Sequence, residues 1–569
     1  MKTISVGTAM DMMALWPALV NTLAVLATVA VVSTGATRWM LVAPLVPLAI
    51  IVWRQRRTVL RVPRGVGGLG RYLTARFILI AAAGAQLFVA SEFQALETVA
   101  FVLAVVALAA EPVVRSANGI AVPYASNFPD HEPRNRAVFP YGWMFPLNLL
   151  GLLALVLTGL AAVPLLAVAV TLSSVSIVLA LLAFSDIGRR IQTRRRFQEN
   201  LDERLKEIGP GFYLYWNAPP RSAFQVTMWL PYLERLGVPF ALVVRTVPNF
   251  RQLEAATEHP VLLRRSIADL DALIVPSVRG VFYANNAMRN NHMVRYSSLT
   301  HIQLLHGESD KPASATPIIR MYDRDFVAGQ AAIDRFDKFG VSMHRDIFRI
   351  VGRPQVEAVE EERGPIGMLE EQSVLYAPTW LGLQAETNYS SLLAGPEIVR
   401  GLIDRGCRVI FRPHPYSRQD RGLRQACAEI QRLLETDTES TRHEHLHGDI
   451  AEQEMSVMDC FNVADAMISD VSGMVGDFLH SGKPLAMVSP RTGAREFVEE
   501  FPMARAAYVL EVVGSSPVNL QATLDALMKT DPHREERQRW ATYYLGNIPR
   551  ENYVERFVQT ARKELGLDC

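Results

Sequence analysis

Four clusters of polar residues directly follow short apolar runs in the C-terminal two thirds of the chain. In the first, at 305–311, His306 and Lys311 share one loop, so an imidazole and an ammonium can lie around an anion. In the second, at 376–380, a proline fixes the turn and Thr379 offers a hydroxyl and a backbone amide. Both patterns suit the binding of a phosphate group.

The other two clusters add a stiff cationic loop and a helix start. Arg412 and His414 alternate with prolines, which leave the loop little entropy to lose when it binds a ligand. At 468–473, Ser472 and Gly473 would expose backbone amides at a helix N-terminus, where phosphates bind. Singly, each cluster is also explained as a structural histidine, a rigid loop or a helix cap. Their occurrence in order, each beyond an apolar run, favours phosphate chemistry.

The apolar runs are typical of buried parallel strands, and amphipathic stretches separate them. This alternation predicts doubly wound α/β sheets with helices on both faces. About 370 residues exceed one typical hydrophobic core, so two lobes are expected, divided near the charged Gly-Pro segment 360–367. In such sheets ligands bind beyond the carboxyl ends of the strands. The predicted strands lie at 212–216, 240–244, 272–275, 301–305, 374–377, 408–411, 466–469 and 485–488.

The first third of the chain is far more apolar than the rest. Half of the 569 residues are hydrophobic and the mean hydropathy is +0.12, which is high for a soluble protein and low for one that lies wholly in a membrane. A helix needs roughly 20 apolar residues to cross a bilayer. The first stretch and the last two reach that length, and the other three do so only with flanking residues. The six stretches lie at 13–32, 39–53, 77–90, 96–110, 143–163 and 165–184.

Arginines concentrate in alternate loops, which predicts a multi-pass protein of the cell membrane with both termini and the C-terminal region in the cytoplasm. A cleaved signal peptide is not expected, because Lys2 is the only basic residue before the first stretch. The loop at 111–141 is expected in the cytosol as well. The basic segment 189–196 either stops membrane transfer or contacts anionic head groups. The basic residues assigned to loops are Arg54, Arg56, Arg57, Arg61, Arg64, Arg71 and Arg76 after the second stretch, and Arg115, Arg134 and Arg136 after the fourth.

These patterns divide the chain into four parts. We predict a six-helix transmembrane domain at 1–188, a basic juxtamembrane linker at 189–211, and two α/β lobes at 212–365 and 366–569. The net charge of +1 gives no reason to expect nucleic acid as a partner. The four cysteines form no CxxC pair, and no carboxylates cluster as magnesium ligands. No bound metal or cofactor is therefore predicted.

Together the clusters resemble the CDP-glycerol glycerophosphotransferases that polymerise teichoic acids, and their ribitol-phosphate relatives. The resemblance runs from about residue 213 to the C-terminus. It implies a GT-B fold of two Rossmann-type lobes, a donor held mainly by the C-terminal lobe, and functional histidines at His306 and His414. The matching patterns are His-Gly-x-x-x-Lys (His306, Gly307, Lys311), Ala-Pro-Thr-Trp (Ala377, Pro378, Thr379, Trp380), Arg-x-His-Pro (Arg412, His414, Pro415) and Ser-Asp-x-Ser…Asp-Phe…Lys-Pro (Ser469, Asp470, Ser472, Asp477, Phe478, Lys483, Pro484).

Three positions depart from the residues that the family usually has there. They are Glu308, which follows Gly307, Leu381, which follows the Thr-Trp pair, and Gly473, which follows Ser472. Which polyol the donor carries therefore stays open.

The predicted reaction transfers glycerol phosphate, or a related polyol phosphate, from CDP-glycerol to a lipid-linked polymer acceptor at the membrane and releases CMP. His306 is the expected general base, and cationic groups around His414 would stabilise charge on the phosphate. Two other functions stay open, a GT-B nucleotide-sugar glycosyltransferase or epimerase and an inactive membrane scaffold, and the oligomeric state is also open. The residues predicted to contact the donor or its phosphates are Gly307, Lys311, Pro378, Thr379, Arg412, Ser469, Asp470, Ser472, Gly473 and Asp477.

Overall fold

The protein consists of two compact units, Met1–Leu201 and Asp202–Cys569. The computed structural model describes residues 15–33, 42–60, 66–91, 95–120, 124–129, 138–161, 164–220, 222–307, 309–382, 388–441 and 443–568. Among the residues discussed above, Lys2, Arg61, Arg64, Arg134, Arg136 and Glu308 lie outside these ranges.

Apolar helices make up the first unit. Four of them, Trp16–Ser33, Ala95–Ile120, Tyr141–Thr158 and Leu165–Glu199, are long and apolar enough to cross a membrane, so four of the six predicted spans are supported by length and composition. The second helix has 16 residues and carries arginines in its second half, and the apolar part of the third spans only Leu73–Phe88. The elements are α1 Trp16–Ser33, α2 Leu45–Leu60, α3 Leu73–Ser91, α4 Ala95–Ile120, β1 Ala125–Ser126, α5 Met144–Ala161 and α6 Pro164–Glu199.

A buried ion pair lies inside this helical unit. Arg76 and Glu111, which the sequence placed in loops, instead lie on α3 and α4, and both are fully buried. The guanidinium donates to both carboxylate oxygens, at 2.7 and 2.6 Å. Glu111 also accepts hydrogen bonds from the Gly70 amide and the Asn148 side chain, both at 2.8 Å. The helices extend past the apolar stretches because these mutual contacts satisfy both charges within the bundle.

Removing one partner of this pair is expected to destabilise the first unit. Glu111→Ala would leave the Arg76 guanidinium buried without its counter-charge, at a cost of about 3–5 kcal/mol. Thermal unfolding of the purified protein in detergent measures the effect. The double variant Arg76→Met with Glu111→Leu is the matched control, and it should unfold close to the wild-type temperature because no charge is left unpaired. A wild-type unfolding temperature for Glu111→Ala would contradict the assignment.

The second unit begins with a parallel sheet. Its strands run in the order β4-β3-β2-β5-β6-β7-β8, and neighbouring strands are parallel. The strands are β2 Phe212–Trp216, β3 Phe240–Val244, β4 Val261–Leu263, β5 Gly280–Tyr283, β6 Thr300–Gln303, β7 Arg324–Val327 and β8 Phe348–Ile350. The helices that accompany them are α7 Leu201–Ile208, α8 Phe224–Thr227, α9 Leu230–Glu234, α10 Val247–Glu254, α11 Ala268–Asp271, α12 Asn291–Val294 and α13 Gln330–Lys338.

One strand predicted for this sheet is wrong. Residues 272–275 form a turn and an irregular segment after α11, and the strand lies further on at β5. The apolar side chains of Leu273 and Val275 are nevertheless buried. A short apolar run indicates that its residues are buried. It does not distinguish a strand from a turn that packs on the core.

A second sheet follows, in the order β10-β9-β11-β12-β13-β14, and it is parallel except for the last pair. Together the two sheets give the predicted GT-B-like α/β fold. The strands are β9 Ser373–Ala377, β10 Arg408–Phe411, β11 Ala466–Ser469, β12 Leu485–Ser489, β13 Tyr508–Val513 and β14 Ser516–Pro517. The helices are α14 Gly395–Ile403, α15 Arg421–Thr441, α16 Val457–Val463, α17 Gly473–Leu479, α18 Ala494–Glu500, α19 Leu520–Asp525, α20 Arg534–Leu545 and α21 Tyr553–Glu564.

The last helix, α21, returns to the first sheet. The Phe557 ring lies 5.4 Å from the Trp229 ring and 6.0 Å from the Phe326 ring, and Glu564 forms ion pairs with Arg324 and Arg349. The C-terminal segment thus fastens the two lobes to each other.

Candidate active site

His306 lies three residues beyond the carboxyl end of β6. Its Nδ1 is 3.0 Å from the Ala284 carbonyl oxygen, which can only accept, so Nδ1 carries the proton of the neutral ring. Nε2 then holds a lone pair and lies 3.4 Å from the amide nitrogen of Gln225. Burial lowers the pKa of His306, and the positive charge of Arg353 acts in the same direction. The neutral imidazole required of a general base is therefore favoured.

The backbone before His306 is held in an uncommon conformation. Leu305 has a φ of +52°, in the left-handed region that non-glycine residues rarely occupy. The Gln303 side chain accepts hydrogen bonds from the Leu304 and Leu305 amides, at 3.0 Å each, and the Trp229 indole donates to the Leu305 carbonyl at 2.6 Å. These contacts fix the backbone directly before His306 and so restrict the position of its imidazole.

His414 lies on the stiff loop after β10 and has the opposite tautomer. The Tyr416 amide donates to His414 Nδ1 at 3.1 Å, so Nε2 carries the proton of the neutral ring. The His414 amide donates to the Pro378 carbonyl at 3.0 Å, and the ring stacks on Trp380 at 6.0 Å. Burial, together with the charge of Lys311, lowers the pKa of His414 to about 4. His414 is thus a neutral N–H donor near pH 7.

Asp470, directly after β11, organises the floor of the second lobe. Its Oδ2 accepts hydrogen bonds from the Thr379 amide at 2.6 Å and the Ser391 amide at 3.1 Å. Its Oδ1 is buried without a hydrogen-bond partner in the part of the chain that the structure describes. Burial raises the pKa of Asp470 to about 7, although these two hydrogen bonds and the charge of Lys311 oppose the shift. Asp470 therefore shapes the loop through backbone amides.

Lys311 extends from the first lobe toward this floor. Its ammonium lies 5.7 Å from the centre of the Tyr389 ring, and its charge influences both His414 and Asp470. Burial lowers the pKa of Lys311, while Asp470 acts to raise it. A partly desolvated cation next to His414 is a favourable place for phosphate oxygens.

The two lobes contact each other at these loops. The Ser222 and Tyr416 hydroxyl oxygens are 3.2 Å apart across the junction. Ser222 is three residues before Gln225, the neighbour of His306, while the Tyr416 ring lies 5.2 Å from the His414 ring. These contacts place His306 and Lys311 on the first-lobe side of the junction between the lobes, and Pro378, Thr379, His414 and Asp470 on its second-lobe side.

A second connection between the lobes uses a buried arginine. Arg353 donates to both carboxylate oxygens of Asp477, at 2.8 and 3.3 Å, and to the His306 carbonyl at 3.4 Å. Asp477 is predicted to contact the donor, and in this structure both of its carboxylate oxygens accept hydrogen bonds from Arg353. This ion pair ties the position of the His306 loop to α17.

Other predicted site residues make structural contacts. The Arg412 guanidinium donates to the Ala451 and Met455 carbonyls, the latter at 2.9 Å, and the Ser469 hydroxyl donates to the Ala377 carbonyl at 2.8 Å. Ser472 precedes α17 without a side-chain cap, Gly473 begins that helix, and Gly307 has open space beside its Cα. Donor contacts by these residues stay predictions.

Sequence reasoning missed Gln225, Arg353 and Tyr416. Arg353 follows β8, but that strand has only three residues and includes Arg349, so no apolar run in the sequence marked the position. Gln225 lies on the short helix α8, and no local pattern marks it as a neighbour of a histidine 81 residues away.

Residues 353–537 match the model of the CDP-Glycerol:Poly(glycerophosphate) glycerophosphotransferase family. Over these residues the match confirms the resemblance that the motifs indicated. The matched segment contains Thr379, His414 and Asp470, while His306 and Lys311 precede it. No curated protein sequence matches the chain.

Solved structures with a similar chain path include both transferases and epimerases. The wall teichoic acid polymerase TagF is 12% identical, with 68% of this chain and 98% of that chain covered and a TM-score of 0.41. UDP-GlcNAc 2-epimerase from Neisseria meningitidis, bound to UDP-GlcNAc, is 13% identical, with 62% and 99% covered and a TM-score of 0.40. At these identities and at TM-scores below 0.5, the likeness establishes neither the function nor the substrate of this protein.

Proposed function

We propose that the protein transfers glycerol phosphate, or a related polyol phosphate, from CDP-glycerol to a lipid-linked acceptor of a teichoic-acid-type polymer and releases CMP. The observation that carries the proposal is the presence of two histidines with opposite tautomers on loops at the junction of the lobes, together with the half-buried Lys311. His306 presents a lone pair at Nε2, and His414 presents an N–H at Nε2. One group can take a proton while the other donates to phosphate.

His306 acts as the general base of the transfer. The acceptor oxygen forms a bond to the polyol-bearing phosphorus as the bond from that phosphorus to the bridging pyrophosphate oxygen breaks. The hydroxyl proton passes to His306 Nε2, and CMP leaves. A histidine with a lowered pKa is mostly unprotonated near pH 7 and is ready for this step.

Lys311 and His414 stabilise the charge that grows on the phosphate oxygens. Fixed donors in a partly desolvated site do this well, because they need little reorganisation during the reaction. In the proposed reaction these groups supply the charge stabilisation that metal ions give in other phosphoryl-transfer enzymes. The amides at Ser472 and Gly473 are further candidates for donor contacts.

The apolar helices hold the catalytic unit at the membrane, where a polyprenyl-linked acceptor is concentrated. Tethering converts a dilute encounter into a local one and raises the effective acceptor concentration. The proposed membrane location is supported by α6, which is long and apolar enough to span a bilayer and is followed in the chain by the catalytic unit.

The full-length protein, purified in detergent, tests the function. CDP-glycerol, CDP-ribitol and UDP-GlcNAc are each supplied with a synthetic polyprenyl-linked acceptor, and released nucleotide and acceptor mass are measured. The proposal expects CMP from a CDP-polyol, together with an acceptor that gains one or more polyol phosphates. Nucleotide release from UDP-GlcNAc alone would favour the glycosyltransferase or epimerase. No release from any donor would favour the scaffold.

A further inference from the structure

Gln225 lies next to the catalytic edge of His306 with its amide group in one fixed orientation. The Trp216 indole N–H, which can only donate, is 3.1 Å from Gln225 Oε1. The Asn285 amide nitrogen donates to the same oxygen at 2.8 Å, and it also donates to the Asn217 carbonyl at 3.1 Å. With its oxygen engaged twice, Gln225 turns its NH₂ group toward His306, at 3.4 Å from Nε2.

The partners on both sides of His306 require the same tautomer. On one side the Ala284 carbonyl accepts from Nδ1–H, and on the other the Gln225 amide donates to Nε2. The Trp216 N–H can only donate and the Ala284 carbonyl can only accept. Both ends of this chain of hydrogen bonds therefore require the same His306 tautomer. The lone pair is thus fixed on Nε2, the nitrogen beside Gln225.

We propose that Gln225 is a positioning residue that holds His306 as the Nδ1–H tautomer with Nε2 free to accept a proton. The role rests on the proposed transfer reaction. A proton placed on Nε2 before substrate binds would face the Gln225 N–H donor, so Gln225 disfavours early protonation. The contact of 3.4 Å is long, so an acceptor hydroxyl can replace it when the substrate enters.

The other groups around His306 do not supply this function. Phe224 offers an aromatic edge to His306, with ring centres 5.9 Å apart. Arg353 lowers the pKa of His306 through its charge, and its guanidinium donates to Asp477 and to the His306 backbone carbonyl. Gln225 is the polar side chain at Nε2 among the described residues.

Two substitutions separate a positioning role from a packing role. Gln225→Glu keeps the size but places a carboxylate at Nε2, which favours a proton there and should raise the His306 pKa by about one unit or more. Gln225→Leu keeps the bulk but removes the donor, so the ring can change tautomer, and kcat should fall about tenfold with little change in the donor KM. Gln559→Leu, on an exposed helix face, is the matched control and should behave as wild type.

Two readouts are used on the full-length protein. The first is the pH profile of CMP release, whose acidic limb should move to higher pH in Gln225→Glu. The second is hydrogen–deuterium exchange at the imidazole Cε1 of His306, followed by peptide mass spectrometry, which yields its pKa without any turnover. The exposed His344 serves as internal reference.

The results distinguish the positioning role from the reaction itself. An upward shift of the His306 titration in Gln225→Glu supports the positioning role even where CMP release is not detected. A His306 titration identical in Gln225→Glu and wild type overturns that role, even where the wild-type enzyme is active. Absence of CMP release from the wild type bears on the proposed reaction alone.

Discussion

Alanine in place of His306 is expected to lower kcat for CMP release by about 10²- to 10⁴-fold, the usual contribution of a positioned general base. Without Nε2, the acceptor hydroxyl would lose its proton to water. His306→Gln should be equally impaired, because an amide fills the space but cannot take a proton at neutral pH. The donor KM should change little, because the donor is proposed to bind mainly to the other lobe.

The wild-type pH profile provides a second reading of the same role. His306 must be unprotonated to act, and its pKa is lowered by burial. Activity should therefore persist as the pH drops to the ordinary histidine value of about 6.5 and fall only at more acidic pH. His344→Ala is the matched control because that histidine is exposed and should leave rate and profile unchanged. Turnover of His306→Ala near the wild-type rate would remove His306 from the proposed role.

The second large effect is expected at His414. His414→Ala should lower kcat by about 10²- to 10³-fold, the usual result of removing one donor to a charged transition state. The prediction for His414→Gln differs from that for His306→Gln. The glutamine amide nitrogen can occupy the place of the imidazole Nε2 and keeps an N–H donor, so part of the activity should return.

The two glutamine variants therefore test the tautomers directly. Steady-state CMP release by His306→Gln, His414→Gln and both alanine variants is measured under identical conditions. Because the pKa of His414 is about 4, this histidine should add no limb to the pH profile near neutrality. Equal loss in His414→Gln and His414→Ala would contradict a donor role, and so would partial activity in His306→Gln.

Many of the elements that carry the site followed from local patterns in the sequence. The strands β9, β10 and β11 lie where apolar runs predicted them, and polar loops follow each one. Strands such as β4, β7 and β8 were missed because they have only three or four residues, and β7 and β8 each include an arginine. Short runs interrupted by charge give too weak a periodicity to separate a strand from a turn.

Some predicted site residues have partners in the fold that their local sequence does not indicate. Arg412 is predicted to contact phosphate, and its guanidinium also donates to carbonyls 39 and 43 residues further along the chain. Asp477 is predicted to contact the donor, and both of its oxygens accept hydrogen bonds from Arg353, 124 residues earlier. The type and spacing of a residue limit what it can bind, and its neighbours in space select among those partners.

By itself the sequence determined the apolar first third, the alternating α/β region and the loops on which His306 and His414 lie. These features depend on hydrophobic periodicity and turn chemistry, which are properties of neighbouring residues. Only the tertiary structure decided which nitrogen of His306 is free. His306 is set by Ala284 and Gln225, which are 22 and 81 residues away, and sheet order brings them beside it. A hydrogen-bond network across strands is a property of their arrangement in space, so no local pattern in the sequence encodes it.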